Sequence, residues 1–183
     1  MKIIFQTNHL KLFDSLVCFE NLENTPKKFY VRYFNKSLFC TSEVINDYEQ
    51  MLYKKCGKKE KIFFYKSSIC IINKIGSGSS SIFAAITCPV ESNELLFDSV
   101  FTILGTALDR ALDDQHTKAS LAQNMDTVHA FFSSIVFDGM LLTTDIDAVV
   151  ESVARTVEEK DTVARNQINT IVIGAAKRWL GFA

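Results

Sequence analysis

The chain has 183 residues, of which 48% are hydrophobic and 15 are Phe, so it is long and apolar enough for the core of one domain, and disorder throughout is excluded. The formal net charge is −1, with basic residues in excess before residue 90 and acidic residues in excess after it. The lysines are scattered except between residues 54 and 61. We interpret that cluster as a solvated helix end in preference to a contact with acidic partners or lipid headgroups.

The chain begins with β-rich runs interrupted by turn signals. Residues 16–19 and 29–34 lie on either side of a polar turn at 24–26, and this pattern predicts a β-hairpin. Apolar residues then recur near every 3.6 positions over residues 41–57, where a Thr-Ser pair can cap a helix and a glycine can stop it. The first third of the chain is therefore predicted as strand, strand, helix.

Three further strands are predicted at residues 62–65, 69–72 and 81–87. The Gly/Ser-rich segment 76–80 between the last two could suggest a phosphate cradle. It lacks the Gly-Lys-Ser/Thr ending and the following helix that a P-loop requires. We therefore predict a hairpin connection there.

Helical periodicity takes over after residue 92. A helix over 92–112 is apolar on most sides and is predicted to be buried on most sides. A second helix over 117–135 has one apolar stripe, and Asp138-Gly139 supplies its glycine stop. Two more helices are predicted, over 145–153 and 158–180.

This order of elements predicts an α+β domain. We expect a five-stranded antiparallel sheet with the first helix on one face and the later helices on the other. The helix over 92–112 would fill the centre. The domain is expected to span residues 1–150, with a C-terminal helical extension over 151–183.

Neither a membrane-spanning helix nor a secretory signal peptide is expected from the sequence. No apolar run approaches the roughly 18–20 residues of a membrane-spanning helix, and the run at residues 1–5 is too short for a signal-peptide core. The five cysteines are odd in number and show no Cys-x-x-Cys spacing. We therefore expect reduced thiols and a cytoplasmic protein.

Residues 64–69 (Phe-Tyr-Lys-Ser-Ser-Ile), 92–95 (Ser-Asn-Glu-Leu), 121–126 (Leu-Ala-Gln-Asn-Met-Asp) and 135–145 form four motifs in one order along the chain. Together they resemble the zeta subunits of coatomer, the longin-like small subunits of the COPI vesicle coat. Residues 64–69 are similar to their Tyr-Lys-Ser-Ser-Ile turn between the third and fourth strands, and residues 92–95 to the opening of their central helix. Residues 121–126 resemble the zeta pattern Leu-Leu-Glu-Asn-Met-Asp, and residues 135–145 resemble Ile-Val-Asp-Gly-Gly-Val-Ile-Leu-Glu-Ser-Asp. The departures from these patterns include Ala122, Gln123, Asp138 and Thr143.

The resemblance implies a longin-like (SNARE-like) fold and a structural role. It implies a partnership with the large gamma subunit of coatomer and recruitment of the whole complex to Golgi membranes by the GTPase Arf. Golgi-to-ER retrograde transport would be the process served. The nearest alternatives are a sigma chain of a clathrin adaptor complex and a longin-domain regulator of a GTPase or SNARE; the turn at 66–68 and residues 124–126 favour zeta over sigma.

Candidate partner contacts are Tyr65, Lys66, Leu141, Leu142 and Trp179. The two leucines follow a glycine and precede polar residues, so they either cover a helix edge or meet a partner. Trp179 lies near a chain end that frays unless docked, so partner contact and docking onto the chain itself both stay open.

Catalytic and ligand-binding patterns are not found in the sequence. The three histidines lie far apart without metal-ligand spacing. Asp109, Asp113 and Asp114 could form a paired-carboxylate site, but we interpret them as a solvated helix end. We therefore predict a non-enzyme with no cofactor, no metal, no small-molecule substrate and no nucleic-acid partner.

Overall fold

The computed structural model describes residues 12–22, 25–58, 60–75, 82–92, 94–112 and 118–155. Its strands are β1 (Ser15–Leu22), β2 (Thr25–Tyr33), β3 (Ile62–Tyr65), β4 (Ser68–Lys74), β5 (Ile82–Pro89), β6 (Val136–Phe137) and β7 (Met140–Leu141). Its helices are α1 (Ser42–Gly57), α2 (Glu94–Ala111), α3 (Lys118–Gln123), α4 (Met125–Ile135) and α5, which runs over 146–155.

The first five strands form one antiparallel sheet in the order β2-β1-β5-β4-β3. Successive side chains of a strand point to opposite faces. In β1, Leu16 and Cys18 therefore join one buried layer, while Val17 and Phe19 join the other. The sheet is covered on both faces.

Helix α1 covers one face. The Oγ1 atom of Thr41 accepts the backbone N–H of Val44 at 3.3 Å and so caps the helix. Tyr48, Leu52 and Cys56 recur every four residues and are buried against the sheet. The predicted helix is confirmed, with Thr41 as its cap.

The later helices cover the opposite face. Most of the circumference of α2 is buried, as predicted. Helix α4 packs beside α2, and its Phe132 meets Tyr30 of β2 edge-on, with ring centroids 5.2 Å apart. Val149 and Val153 of α5 belong to the same core. The α+β, longin-like arrangement predicted from the sequence is thus confirmed.

The second predicted helix is interrupted. Residue 124 separates α3 from α4, so the prediction of one helix over 117–135 is wrong in this detail. The side-chain amide of Asn124 donates to the carbonyl oxygen of Ser120 at 3.1 Å, and the Asn124 backbone N–H donates to the same oxygen at 3.0 Å. A polar side chain that competes for a helical carbonyl in this way disturbs the regular turn.

Asp138-Gly139 is a hairpin turn and not the predicted helix stop. Helix α4 ends at Ile135, and the chain passes directly into the short strands β6 and β7. Both turn residues have positive φ, 46° for Asp138 and 80° for Gly139. Two such residues in succession match the right-handed twist of a two-residue hairpin, and Asp-Gly is a preferred pair for this turn.

The predicted turn at 24–26 is shorter than expected. Thr25 and Pro26 belong to β2, where Pro26 pairs with Asn21. Proline is tolerated there because β2 is an edge strand. The connection at 76–80 and the helix predicted over 158–180 lie outside the described residues, so they stay predictions.

Candidate assembly surfaces

Exposed large apolar side chains concentrate at two places in the described part of the chain. They are Ile62, Phe64, Val90, Phe137 and Leu142. Two of them lie on the edge strand β3 and two on or beside the β6–β7 hairpin. Clustered apolar exposure of this kind is typical of surfaces that meet a protein partner.

The β3 edge, defined here as Ile62 and Phe64, follows from strand alternation. Phe63 and Tyr65 are buried against α1, whereas Ile62 and Phe64 are 52% and 67% exposed on the other face. More than half of each side chain is therefore left uncovered by the helices that the structure describes. All four residues of β3 are apolar, which suits a strand that makes apolar contacts on both faces: with α1 on one face and with a partner on the other.

The β6–β7 hairpin is held firmly at the end of the sheet. The carbonyl oxygen of Gly139 accepts the backbone N–H groups of Leu12 and Phe13 at 2.8 and 3.0 Å. Phe137 is 61% exposed and Leu142, just after the hairpin, is 54% exposed. The hairpin thus presents apolar side chains from a backbone that is fixed in place.

A groove of about 430 Å³ separates this hairpin from β2. Phe137 lines one side of it, and Tyr30 and Arg32 line the other. The Arg32 guanidinium lies 5.2 Å from the centre of the Tyr30 ring, close enough for a cation–π contact. Aromatic residues and arginine are the residue types enriched at protein interfaces.

The predicted contact residues Tyr65 and Lys66 lie at the turn between β3 and β4. Tyr65 is only 5% exposed; its hydroxyl donates to the carbonyl oxygen of Val44 at 3.1 Å, and its ring meets Tyr48 edge-on at 4.9 Å. Lys66 is exposed and has a φ of 53°. Of this pair, Lys66 is the side chain that a partner can reach from solvent.

The side chains of Leu141 and Leu142 point in different directions at the end of the hairpin. Leu141 is half-buried and packs against the core, whereas Leu142 points outward although its backbone N–H is bound to the carbonyl oxygen of Ile135 at 2.9 Å. Trp179 lies outside the described residues. The structure therefore places Leu142 directly after the hairpin that carries Phe137, and it places Lys66 at a separate site, the turn between β3 and β4.

Sequence reasoning missed Ile62, Phe64 and Phe137. The run of four apolar residues at 62–65 was a usable signal, since a half-buried strand alternates between apolar and polar residues and this one does not. Phe137 stands next to Asp138-Gly139, where a hairpin interpretation would have pointed its side chain outward.

Two of the buried carboxylates, Asp14 and Glu49, are bound inside the fold. Asp14 accepts the side chains of Asn35 at 2.8 Å and Ser68 at 2.7 Å. Glu49 is bound by Lys28 at 2.6 Å and by the hydroxyl of Tyr33, also at 2.6 Å. These groups join β1, β2, β4 and α1, which is a structural role.

Burial also raises the pKa values of two tyrosine hydroxyls, those of Tyr33 and Tyr48. Burial, and after it the hydrogen bond to Glu49, raises the pKa of the Tyr33 hydroxyl far above its ordinary value. Burial likewise raises the pKa of Tyr48. Both hydroxyls therefore stay protonated near neutral pH and act as hydrogen-bonding groups.

The described ranges contain neither a metal-binding cluster nor a membrane-spanning helix. Within the described ranges, no group of three or more His, Cys, Asp or Glu side chains is placed to hold a metal ion. His129 lies with its Nε2 atom 2.6 Å from the carbonyl oxygen of Phe29, which ties α4 to β2. No helix in the same ranges has the length and apolar character needed to cross a membrane.

The two uncovered apolar surfaces, at the β3 edge and at the β6–β7 hairpin, suit contact with a protein partner. Comparison with known proteins finds that the chain is similar to a coatomer subunit. One relative is "Coatomer subunit zeta" of Saccharomyces cerevisiae (strain ATCC 204508 / S288c). It is 20% identical over 144 residues, which cover 73% of this chain and 74% of that protein.

The fold can also be compared with a structure of an assembled complex. A chain in a homology model of the full-length AP-3 complex in a stretched open conformation is 13% identical, with a TM-score of 0.48. That match covers 85% of this chain and 99% of the other. No family model matches the sequence.

Proposed function

We propose that the protein is the zeta-type small subunit of a COPI coat, that it binds a large gamma-type subunit, and that it supports Golgi-to-ER retrograde transport. The similarity to coatomer subunit zeta over 144 residues carries this proposal. The four zeta-like segments between residues 64 and 145 favour zeta over a sigma chain. The protein works by assembly and not by catalysis.

Assembly accounts for the uncovered apolar surfaces. A permanent subunit interface typically buries more than about 2,000 Å² and resembles a domain core cut in half. The β3 edge and the β6–β7 hairpin supply apolar area of that kind. Leu142 and Lys66 are the two predicted contact residues whose exposure suits a direct partner contact, and Tyr65 supports Lys66 from beneath.

Membrane association is indirect in this proposal. The complex, recruited by Arf, brings the subunit to the cytoplasmic face of Golgi membranes and onto coated vesicles. Residues 1–150 form the assembling domain, and residues 151–183 form a helical extension. The extension begins within α5, whose Val153 packs into the core of the domain. Trp179 of the extension docks either onto the partner or back onto the domain. No cofactor and no nucleic acid take part.

Affinity purification of the tagged protein with mass spectrometry tests the proposal. We expect a gamma-type coatomer chain at near-equal amounts, together with the other coatomer subunits. A co-purifying adaptor large chain would instead assign the protein as a sigma subunit. Recovery of the protein alone, as a stable monomer, would refute a coat function.

A further inference from the structure

The β3 edge is the less protected of the two sheet edges. Natural edge strands usually carry charges, prolines or bulges that block pairing with another chain. The other edge, β2, has such devices: Pro26 and the exposed Lys27, Lys28 and Arg32. The four residues of β3, Ile-Phe-Phe-Tyr, include neither a charge nor a proline.

The backbone of this edge has an outward-facing set of hydrogen-bonding groups. The N–H of Ile72 donates to the carbonyl oxygen of Lys61 at 2.7 Å, which makes these residues a hydrogen-bonded pair of the β3–β4 ladder. Bonded pairs alternate along an antiparallel ladder, so Phe63 bonds to β4. The N–H and C=O groups of Ile62 and Phe64 therefore point away from the sheet.

The same two residues carry the exposed side chains. Ile62 lies opposite Ile71 and Phe64 opposite Ile69, and both partners belong to or pack against the core under α2. The exposed strip is thus a continuation of the core across the last strand. A further strand beside β3 would cover it and satisfy four backbone groups at once.

The charges around the strip are mainly positive. Exposed Lys61 and Lys66 stand immediately before and after β3, and Lys58 is exposed nearby. Glu60, the acidic residue of this stretch, forms an ion pair with Lys55. A segment that lies along β3 is therefore favoured if it is apolar at its centre and acidic at its ends.

We propose that an extended segment of the large partner subunit, with apolar residues at alternate positions and acidic residues at its ends, adds to β3 as a sixth strand of the sheet. The inference rests on the proposed function, because the large coat subunit is the occupant. Backbone pairing fixes the direction and register of the segment, and Ile62 and Phe64 supply the apolar contact. Because only four backbone groups of β3 point outward, the added strand is short, and it forms one part of a larger interface with the partner.

Amide hydrogen exchange on the full chain, alone and co-expressed with a gamma-type coatomer chain, tests the pairing directly. In the free chain, the amides of Phe63 and Tyr65 should exchange slowly because they bond to β4, whereas those of Ile62 and Phe64 should exchange fast. In the complex all four should be slow. Slow exchange at Ile62 and Phe64 in the free chain would show that the chain itself covers the edge and would overturn the proposal.

Two substitutions at one position separate the backbone from the side chain. Phe64→Ala removes the apolar contact and leaves the outward N–H, while Phe64→Pro removes both without breaking a β3–β4 bond. We expect Phe64→Pro to weaken binding of the gamma-type chain by about tenfold more than Phe64→Ala. Equal affinities for the two variants would exclude strand addition.

Val90→Ala serves as the control. It also shortens an exposed apolar side chain, 48% exposed against 67% for Phe64, but it lies outside the β3 edge and the β6–β7 hairpin. Its complex should keep the slow exchange at Ile62 and Phe64. If wild-type protein binds the gamma-type chain and these amides stay fast, the strand proposal fails while the coat function stands; if the gamma-type chain does not bind, both fail.

Discussion

Gly139 lies directly against the backbone of Phe13. A Cβ atom on Gly139 would stand 2.6 Å from the carbonyl oxygen of Phe13 and 3.2 Å from the Cβ atom of Phe34. The residue also has a φ of 80°. This contact fixes the β6–β7 hairpin, and with it Phe137, at the end of the sheet.

Gly139→Ala is therefore expected to destabilise the protein. The left-handed backbone alone costs a non-glycine residue about 1–2 kcal/mol, and the short contact with Phe13 adds to it, so we expect a loss of about 2–4 kcal/mol in the free energy of unfolding. Urea unfolding measures it. Gly57→Ala is the control, because no atom lies within 4 Å of its added Cβ; it should leave stability unchanged or raise it by up to about 1 kcal/mol. Equal losses at the two sites would contradict the predicted role of Gly139.

Tyr48→Phe should also cost stability. The Tyr48 hydroxyl lies 2.7 Å from Oγ1 of Thr87 and 3.3 Å from Oγ of Ser15, and all three residues are fully buried. Without that hydroxyl, the two partners lose a hydrogen bond that water cannot replace. We expect a loss of about 1–3 kcal/mol in the free energy of unfolding, measured by thermal or urea unfolding.

Tyr53→Phe is the matched control for that substitution. Within the described part of the chain, the buried Tyr53 hydroxyl has no hydrogen-bond partner. Its removal should be neutral or stabilising by up to about 1 kcal/mol. A larger loss for Tyr53→Phe than for Tyr48→Phe would refute this division of roles.

Local signals account for the elements that the sequence predicted well. Each of these signals lies within a single element. In α1 they are the cap at Thr41 and the four-residue spacing of Tyr48, Leu52 and Cys56. In β3 and in β4 the signal is the apolar run of the strand itself. Their interpretation needs no knowledge of the rest of the chain. The helix periodicity of α2 likewise predicted its burial.

Features that depend on neighbours were harder to predict. The apolar run at 62–65 indicates apolar side chains on both faces of β3, but it does not give the position of the strand in the sheet. Ile62 and Phe64 are exposed at the last strand of the order, and that order depends on the whole chain. The sequence favours a helix stop at Asp138-Gly139 because a glycine stop and a hairpin turn prefer the same residues, and strands of two residues are too short to show alternation. Leu142 was among the predicted contacts, and whether it meets a partner stays a prediction.

Thiol reactivity tests the burial of the cysteines. Cys40 is exposed, whereas Cys18, Cys56, Cys70 and Cys88 are buried. Because a thiol reagent needs access to the thiolate, we expect one fast-reacting thiol per native chain and five after unfolding in urea. Cys40→Ser should abolish the fast reaction, and fast modification of a second thiol in the native protein would contradict the predicted core.

Alkaline pH should destabilise the fold through its buried thiols. Burial raises the pKa of Cys70 to about 11 and raises the pKa of Cys18 further. In the unfolded chain, thiols have a pKa of about 8.5. The folded chain thus holds protons that the unfolded chain releases. The stabilisation is complete below about pH 8.5 and is lost progressively as the pH rises towards the folded values.

The urea midpoint should therefore fall steadily between about pH 8.5 and 10, below the range in which unfolded tyrosines ionise. Cys70→Ala provides the decisive comparison. This variant starts from a lower stability because it loses a buried side chain, but its stability should depend less steeply on pH, since one fewer proton is released on unfolding. An unchanged slope in Cys70→Ala would show that the alkaline instability has another source.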